Sequence, residues 1–349
     1  MKKTVYFFGA GATKSIAPSA PLNKDLVQKA LSDFSHLEAA RDIQIFIEEI
    51  FGQRTDPPID NNIWNFLDYA IQSRKSVSPK HNLERVTALQ KSLLSLVIQE
   101  FDKQLAKIDT SIYSEFATKI KDRNSAIITT NYDVIIDRAL ANIKSRTYGA
   151  KFRTLIESTH DDPLVERCER SGLIRARIYN IDSYPMAHKI PLLKIHGSLN
   201  WLYCPKCDEV DISAFGKGST RTVTGEYYCA NNNCTNKYES LLITPTMFKN
   251  YDNRFIREVW ECAEMELINA DHLVFIGYAL KEEDYQIRCL LMKALLNKET
   301  NSYKKITIVE DIPNRKNSKY LDDVEEKYRS LFGSVEFKPI GFIDYVNQL

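Results

Sequence analysis

The sequence carries almost no excess charge of either sign. Lysine and arginine total 47, and aspartate and glutamate total 46, which leaves a formal net charge of +1. Such a balance lacks the overall positive field that drives sequence-independent binding to nucleic-acid phosphates. We therefore expect no direct binding to nucleic acid.

Long apolar runs are also missing. No stretch reaches the roughly 18 apolar residues that a membrane-spanning helix needs. The first apolar run, Thr4 to Phe8, is interrupted by glycine at its end, which predicts a strand and not a signal peptide. We therefore expect a cytoplasmic protein that does not contact membranes.

Seven cysteines without a secretory signal indicate thiols and a metal site and not disulfides. Two close pairs, Cys204 with Cys207 and Cys229 with Cys234, can supply four thiolates to a tetrahedral ion. Because four sulfur ligands leave no coordination position for water, the sequence predicts a structural zinc ribbon. The remaining cysteines are expected to be buried side chains: Cys168, Cys262 and Cys289.

Five short apolar runs are rich in β-branched or aromatic residues. They scarcely alternate with polar residues, which is typical of parallel strands covered on both faces by helices. The sequence therefore predicts an α/β fold with a Rossmann-like, doubly wound parallel sheet. The runs are Thr4 to Phe8, Ala126 to Thr129, Pro191 to Ile195, His272 to Ile276 and Lys305 to Val309, with a last strand at Val335 to Lys338.

More than a hundred residues with helical spacing separate the first two runs. In Glu84 to Leu105, for example, apolar side chains recur three or four residues apart, as on one face of a helix. Because this segment is too long for one crossover, residues 23–124 are predicted to form a large helical insert. Weaker periodicity from Tyr148 to Lys189 is compatible with a second insert. The Rossmann-like core then comprises residues 1–22, 125–200 and 240–349, and the zinc-ribbon subdomain comprises residues 201–239. Further helices are predicted over Val134 to Ile143, Asn253 to Asn269 and Glu282 to Leu296.

A glycine-containing turn follows the first predicted strand. Gly9 would allow the tight turn, and the missing side chain of Gly11 would let a phosphate approach free N–H groups at a helix start. The usual dinucleotide fingerprint has a third glycine, where this chain has Lys14. Residues 9–13 therefore form either a phosphate-binding loop or an ordinary strand-to-loop turn.

Polar side chains end the second and third predicted strands. Asn131 and Asp133 follow the second and suit the hydroxyls of a ribose, although either could instead cap the helix from Val134. His196 follows the third and could act as a general base near neutral pH, or could simply bond to the backbone. The other histidines have no comparable context and are expected to be structural or exposed: His36, His81, His160, His188 and His272.

The fourth and fifth predicted strands end in Gly277 and Glu310. Gly277 would admit a ribose or phosphate close to the backbone, or would merely terminate its strand. A carboxylate placed like Glu310 holds adenosine ribose hydroxyls in Rossmann folds.

The order of these pieces resembles the sirtuin family, particularly the sirtuin-like NAD-consuming proteins of bacterial anti-phage defence. Residues 9–13 resemble the family's Gly-Ala-Gly phosphate loop, and Thr129 to Asp133 its Thr-Gln-Asn-Ile-Asp motif. Lys194 to Gly197 is similar to the His-Gly motif, and the four cysteines stand where the family keeps its zinc ribbon. Ile276 to Leu280 resembles the family's Gly-Thr-Ser-Leu, so the likeness covers the N-terminal loop and most of residues 125–312.

This resemblance implies an enzyme that breaks the nicotinamide–ribose bond of NAD and releases nicotinamide and ADP-ribose. Asn131 and His196 would be the catalytic pair, with Asp133 holding the nicotinamide ribose. The residues expected to bind NAD, which is the substrate, are Gly9, Ala10, Gly11, Ala12, Thr13, Thr130, Gly277, Tyr278 and Glu310.

Three departures from the family pattern bear on the reaction. Thr130 replaces the glutamine of the Thr-Gln-Asn motif, and residues 20–26 lack the phenylalanine and arginine of the Pro-Asp-Phe-Arg segment found in deacylating sirtuins. Thr244 to Lys249 replaces the Phe-Gly-Glu stretch that pairs with an acyl-lysine peptide. These departures favour NAD hydrolysis over protein deacylation. The alternatives are a protein deacylase or ADP-ribosyltransferase that acts on a peptide, and a non-catalytic module that binds NAD or ADP-ribose.

Unregulated hydrolysis of NAD would harm the cell that makes the enzyme, so we expect assembly or a partner protein to gate the activity. The helical insert is the expected surface for a homo-oligomer. The resemblance to defence proteins implies a partner ATPase or a phage-derived component as the trigger.

Overall fold

The structure is a computed structural model. It describes residues 2–18, 23–52, 59–106, 108–142, 152–153, 173–175, 177–178, 190–213, 228–229, 231, 233–299, 303, 305–311 and 318–349. The second insert expected over Tyr148 to Lys189 lies mostly outside these residues, as does Cys168.

Strands of the described residues fall into three sheets. Six strands form a central sheet in which every neighbouring pair is parallel. The other two sheets, of two and four strands, are antiparallel. In chain order the strands are β1 (Thr4–Phe8), β2 (Ser125–Thr129), β3 (Phe152–Arg153), β4 (Leu173–Arg175), β5 (Arg177–Ile178), β6 (Leu192–Lys194), β7 (Gly197–Cys204), β8 (Glu209–Ser213), β9 (Glu239–Leu242), β10 (His272–Ile276), β11 (Lys305–Val309) and β12 (Glu336–Lys338).

The central sheet has the doubly wound strand order. Its order is β12-β11-β10-β1-β2-β6, so β1 lies inside the sheet and later strands are added outward on both sides of it. All five predicted core strands lie in this sheet, and the predicted last strand is β12. Every residue of β2 is buried, as expected for a parallel strand covered on both faces. The predicted α/β fold is confirmed.

The helices also follow the predicted pattern. The helix expected from Glu282 starts as a 3-10 turn over Glu282–Asp284 and becomes α-helical at Tyr285. Asn253 caps its helix, because its side-chain oxygen accepts hydrogen bonds from the amides of Phe255 and Ile256. The helices are α1 (Ala10–Ile16), α2 (Asn23–Asp33), α3 (Glu38–Phe51), α4 (Ile59–Gln72), α5 (Leu83–Leu105), α6 (Ser111–Ile120), α7 (Ile135–Asn142), α8 (Arg254–Asn269), α9 (Tyr285–Leu296), α10 (Ser318–Phe332) and α11 (Phe342–Gln348).

The chain divides into two compact units. The first comprises Met1–Pro18, Ile108–Leu242 and Tyr251–Leu349 and contains the sheets. The second comprises Ser19–Lys107 and Ile243–Asn250 and has its own apolar core, built by helices α2 to α5. Helix α6 falls inside the predicted insert range 23–124, but it belongs to the first unit and packs against α7.

Two smaller sequence predictions have different outcomes. Cys262 is buried as expected, whereas Cys289 is exposed, so the prediction for Cys289 was wrong. The reason is helical periodicity: Ile287, Leu290 and Leu291 turn inward on α9, and Cys289 lies between them on the outer face. In the segments that the structure describes, a helix with the length and apolar content of a membrane span is absent.

The turns after β1 and β10 approach each other backbone to backbone. Gly277 has a φ of +61°, a conformation that favours glycine. A Cβ at Gly277 would lie 2.1 Å from the amide nitrogen of Ala12, and a Cβ at Gly11 would lie 2.7 Å from the Cα of Gly277. The two turns can therefore pack this closely only when both positions are glycine.

Alanine at Gly277 should destabilise the protein more than alanine at another glycine of positive φ. Gly333 has a φ of +76°, and a Cβ added there would meet no described atom within 4 Å, so Gly333→Ala carries only the left-handed backbone penalty, roughly 1–2 kcal/mol. Gly277→Ala adds steric overlap worth about 1–3 kcal/mol. Urea unfolding of the two variants measures the difference, and equal losses would show that the turns can separate freely.

Candidate active site

The predicted site residues lie along one edge of the central sheet. Phe8 pairs with Thr129 on one side and with Ile276 on the other, so the residues that follow these strands emerge side by side. Thr129 in turn pairs with Lys194, and Ile276 pairs with Val309. The carboxyl ends of parallel strands are where doubly wound sheets bind their ligands.

The turn after β1 is tied to β10 and not left open. The amide of Gly9 donates to the carbonyl of Ile276 at 3.0 Å, and the amide of Gly11 donates to the carbonyl of Gly277 at 2.8 Å. The amide of Ala12 donates to the carbonyl of Gly9 at 3.1 Å. These three N–H groups are therefore bonded within the fold. The missing side chain of Gly11 accommodates Gly277, while phosphate binding by residues 9–13 stays a prediction.

Asn131 joins the turn after β2 to the turn after β1. It stands two residues beyond the end of β2 and is half-buried. Its side-chain NH₂ donates to the carbonyl of Gly9 at 3.0 Å and to Oγ1 of Thr13 at 3.2 Å. Nearby, the amide of Thr130 donates to the carbonyl of Phe8 at 3.1 Å. The amide nitrogen of the Asn131 side chain is thus oriented by the turn after β1.

Asp133 is buried beside the same turn and holds two elements. One carboxylate oxygen accepts the hydroxyl of Thr13 at 2.8 Å, and the other accepts the amide of Ile135 at 3.1 Å. The second contact satisfies the amide of the first residue of α7. Burial raises the pKa of this carboxyl, and the nearby ammonium of Lys194 acts in the opposite direction.

His196 stands two residues beyond β6, in the same position relative to its strand that Asn131 has relative to β2. It is only 6% exposed, and its Nε2 lies 3.4 Å from the hydroxyl of Tyr251. The Tyr251 ring packs against Trp260 at 4.5 Å between centroids, and Trp260 donates its indole N–H to the carbonyl of Ile195 at 2.8 Å.

Sequence reasoning missed Tyr251 and Trp260. Neither belongs to a recognisable motif, and both are more than fifty residues from His196 in the chain. Their aromatic character was the only available signal, and eighteen tyrosines make that signal unspecific.

At the other end of the edge, Tyr278 and Glu310 are both buried. The Tyr278 hydroxyl donates to the carboxylate of Asp284 at 3.0 Å. Glu310 accepts the hydroxyl of Tyr320 at 3.1 Å through Oε1, while its Oε2 has no hydrogen-bond partner among the described residues. Burial raises the pKa of Glu310 to about 7.

The four predicted metal ligands come together in the first unit. The sulfur atoms of Cys204, Cys207, Cys229 and Cys234 all lie within 4.8 Å of one another. The Cys204–Cys234 and Cys207–Cys229 sulfur distances are 3.7 Å and 3.8 Å. Tetrahedral zinc with bonds of about 2.3 Å would place its sulfurs about 3.8 Å apart, so the cluster fits the ion. Burial raises the pKa of the Cys229 thiol to about 12, so its thiolate form needs a nearby cation.

The cluster should hold one zinc ion that stabilises the four-stranded sheet β4-β8-β7-β9. Zinc binding to such a site is worth on the order of 10 kcal/mol, so Cys204→Ser should release the metal and lower the melting temperature. Elemental analysis and thermal unfolding measure both effects. The matched control is Cys262→Ser, which alters a buried cysteine outside the cluster and should retain zinc. Full metal content in the Cys204→Ser protein would contradict the assignment.

Replacing Glu310 with glutamine should stabilise the protein only at higher pH. A carboxyl whose folded pKa is raised binds its proton more tightly in the folded state, so wild-type stability falls as pH rises from about 4.5 to about 7. Glutamine removes this loss, worth about 3 kcal/mol above pH 7, and changes little below pH 4.5.

Urea unfolding at several pH values measures this effect. Glu336→Gln is a control with the opposite expected sign, because the hydrogen bond from Lys305 lowers the pKa of Glu336. This variant should lose stability relative to wild type as the pH rises. A stability difference between wild type and Glu310→Gln that does not vary with pH would show that Glu310 is well solvated.

Comparison with known proteins places this arrangement in a family. Among solved structures, a Sir2 enzyme described for its mechanism and regulation matches with a TM-score of 0.45 and 13% identity, covering 99% of this chain and 92% of its own. A Sir2 homologue in complex with NAD matches with a TM-score of 0.45 and 9% identity, over 99% and 90% of the two chains. The Sir2Af2 protein bound to a myristoylated histone peptide matches with a TM-score of 0.39 and 13% identity, over 99% and 92%.

No curated protein matches the chain significantly in sequence. The family assignment therefore rests on the model of the SIR2-like domain, which matches residues 125–330. That segment covers more than half of the 349 residues and contains Asn131, His196 and the four cysteines. The chain belongs to the family of SIR2-like domains, an NAD-binding and NAD-consuming enzyme family.

Proposed function

We propose that this protein is an NAD hydrolase that cleaves the nicotinamide–ribose bond. The observation that carries the proposal is the shared offset of Asn131 and His196, each two residues beyond paired ends of the neighbouring strands β2 and β6. Parallel pairing brings the amide, the Asp133 carboxylate and the imidazole to one edge, beside the turn after β1.

NAD would lie across this edge. Its pyrophosphate would rest on residues 9–13, and its nicotinamide ribose would lie near Thr130, Asn131 and Asp133. Its adenosine would extend past Gly277 and Tyr278 toward buried Glu310. Oε2 of Glu310 has no hydrogen-bond partner among the described residues and would accept a ribose hydroxyl. The strand order supports this direction, because it places the turns in the sequence β6, β2, β1, β10, β11 along the edge.

Hydrolysis would proceed through an oxocarbenium-like sugar. The glycosidic bond breaks with its electron pair leaving on nicotinamide, and the oxygen of water bonds to the anomeric carbon. Asn131 would orient the ribose or the water, and His196 would accept the proton that the water loses. A general base of this kind typically contributes about 10²- to 10⁴-fold to a rate.

The segment that follows the cysteine ribbon supports hydrolysis over transfer to a peptide. The amide of Met247 donates to the side chain of Asn65 at 2.7 Å, and the carbonyl of Phe248 accepts the side chain of Gln72 at 2.5 Å. Thr244 is bonded to buried Asp68 on the same helix, α4, at 2.6 Å. The backbone amide of Met247 and the backbone carbonyl of Phe248 are therefore occupied within the helical unit and are not open for pairing with a peptide strand.

We also infer that assembly or a partner gates the activity. The second unit has an apolar core of its own, which suits it to act as an assembly module. A homo-oligomer formed through this unit, and a trigger such as a partner ATPase or a phage-derived component, are consistent with that organisation.

The central prediction is release of nicotinamide from NAD by the protein alone or with its trigger. Asn131→Ala and His196→Gln should each lower the rate about 100-fold or more, because each removes a group at the reacting sugar. The matched control is His272→Gln. His272 lies at the opposite end of β10, bonds to Thr307 at 2.9 Å and has a pKa lowered to about 4 by burial, so the variant should retain activity.

Chromatographic measurement of nicotinamide and ADP-ribose, with and without an acyl-lysine peptide, decides among the reactions. Equal amounts of both products without peptide support hydrolysis. Release that requires the peptide would support a transferase, and equal rates for wild type, Asn131→Ala and His196→Gln would refute the site assignment.

A further inference from the structure

A wholly buried lysine lies at the end of the strand that leads to His196. Lys194 is the last residue of β6, and its side chain is 0% exposed. Moving an ammonium group out of water costs several kcal/mol unless nearby groups compensate its charge and donors. The groups around Lys194 must therefore compensate its charge and accept its hydrogen bonds.

Both described partners of the Lys194 ammonium come from the segment that follows β2. The Nζ donates to the carboxylate of Asp137 on α7 at 3.0 Å and also to the backbone carbonyl of Asp133. Asp137 is itself buried, with its side chain 1% exposed. The lysine thus joins the end of β6 to the turn that carries Asn131 and Asp133.

The same turn is held from its other side by α1. Thr13 donates its hydroxyl to the Asp133 carboxylate and accepts the side-chain amide of Asn131. The charged and polar groups that face Asp133 are therefore Thr13 on α1, Tyr113 on α6, Asp137 on α7 and Lys194 on β6. Lys194 supplies the one positive charge in this set of described groups, against two carboxyl groups.

We propose that Lys194 is a positioning residue, which fixes the turn carrying Asn131 and Asp133 against the strand carrying His196. Its ammonium is also the counter-charge to the carboxyl groups of Asp133 and Asp137. The two contacts act together, because one holds the turn's backbone and the other anchors the ammonium on α7. The expected effect of Lys194 on catalysis rests on the proposed hydrolysis of NAD.

The free energy of buried ion pairs separates a positioning role of Lys194 from a purely stabilising one. Replacing a buried ion pair by apolar groups is often neutral or stabilising, so the pair is not needed for stability as such. Lys3 provides a matched comparison in the same sheet, because its ammonium pairs with largely buried Glu266 at 2.6 Å, just before the opposite end of β1. Lys3→Met should lower stability without affecting the Asn131 turn.

The first test measures local order by amide hydrogen exchange. Lys194→Met should raise exchange of the amides at 130–135 by about tenfold or more relative to wild type, while Lys3→Met should leave them unchanged. If Lys194→Met does not fold, the double variant Lys194→Met with Asp137→Leu replaces the whole pair and should show the same local increase. Equal exchange at 130–135 in wild type and either Lys194 variant would overturn the proposal.

The second test uses the pH profile of nicotinamide release. Burial raises the pKa of Asp133, Lys194 lowers it, and Asp137 raises it. Lys194→Met should therefore move the acidic limb of the profile to higher pH, by roughly one unit, and Asp137→Asn should move it to lower pH. Loss of general stability would not produce shifts in opposite directions, and Lys3→Met should leave the limb in place.

The two tests separate the role of Lys194 from the proposed hydrolysis of NAD. If wild type never releases nicotinamide, the proposed hydrolysis fails and the exchange result alone decides the role of Lys194. If wild type is active and the two pH shifts agree in sign or are absent, the charge-setting role of Lys194 is refuted.

Discussion

The in-register parallel pairing of β6, β2, β1, β10 and β11 is the constraint on which the rest of the structure depends. Each pair ends at the same level, because Phe8 is opposite both Thr129 and Ile276, and the outer strands continue that register. Side chains that are hundreds of residues apart in the chain therefore emerge along one edge. A slip of one residue in any pair would turn side chains to the opposite face and separate them.

The turns at this edge are fixed mainly by polar contacts. Asn131 and Asp133 bond to the turn after β1, and Lys194 bonds to the turn after β2 from the other side. Buried polar groups of this kind are costly unless each is satisfied, and when satisfied they specify one arrangement. Satisfied contacts of this kind are what a preorganised binding site requires.

The remaining parts of the chain are stabilised by other means. Near the cysteines, Leu202 and Tyr238 pack with the sulfur-bearing side chains in one small buried cluster, a kind of core that a bound metal ion commonly stabilises. The helical unit has a larger core of its own, and the short segment Ile243–Asn250 belongs to that unit. Residue Tyr251, which contacts His196, follows this segment directly in the chain.

The sequence by itself determined the six strands of the central sheet, the close cysteine pairs and the polar residues at the strand ends, because β-branched apolar runs, cysteine spacing and polar residues after a strand are local signals. It did not predict the strands of the two antiparallel sheets. It could not determine what each small or charged side chain contacts. From the sequence alone, the missing side chain of Gly11 could make room either for a phosphate or for another backbone segment. Only the fold shows that Gly277 lies beside it. Lys194 reads as an ordinary polar residue, and only tertiary packing buries it between Asp133 and Asp137, since that burial depends on strands paired across sixty residues of chain.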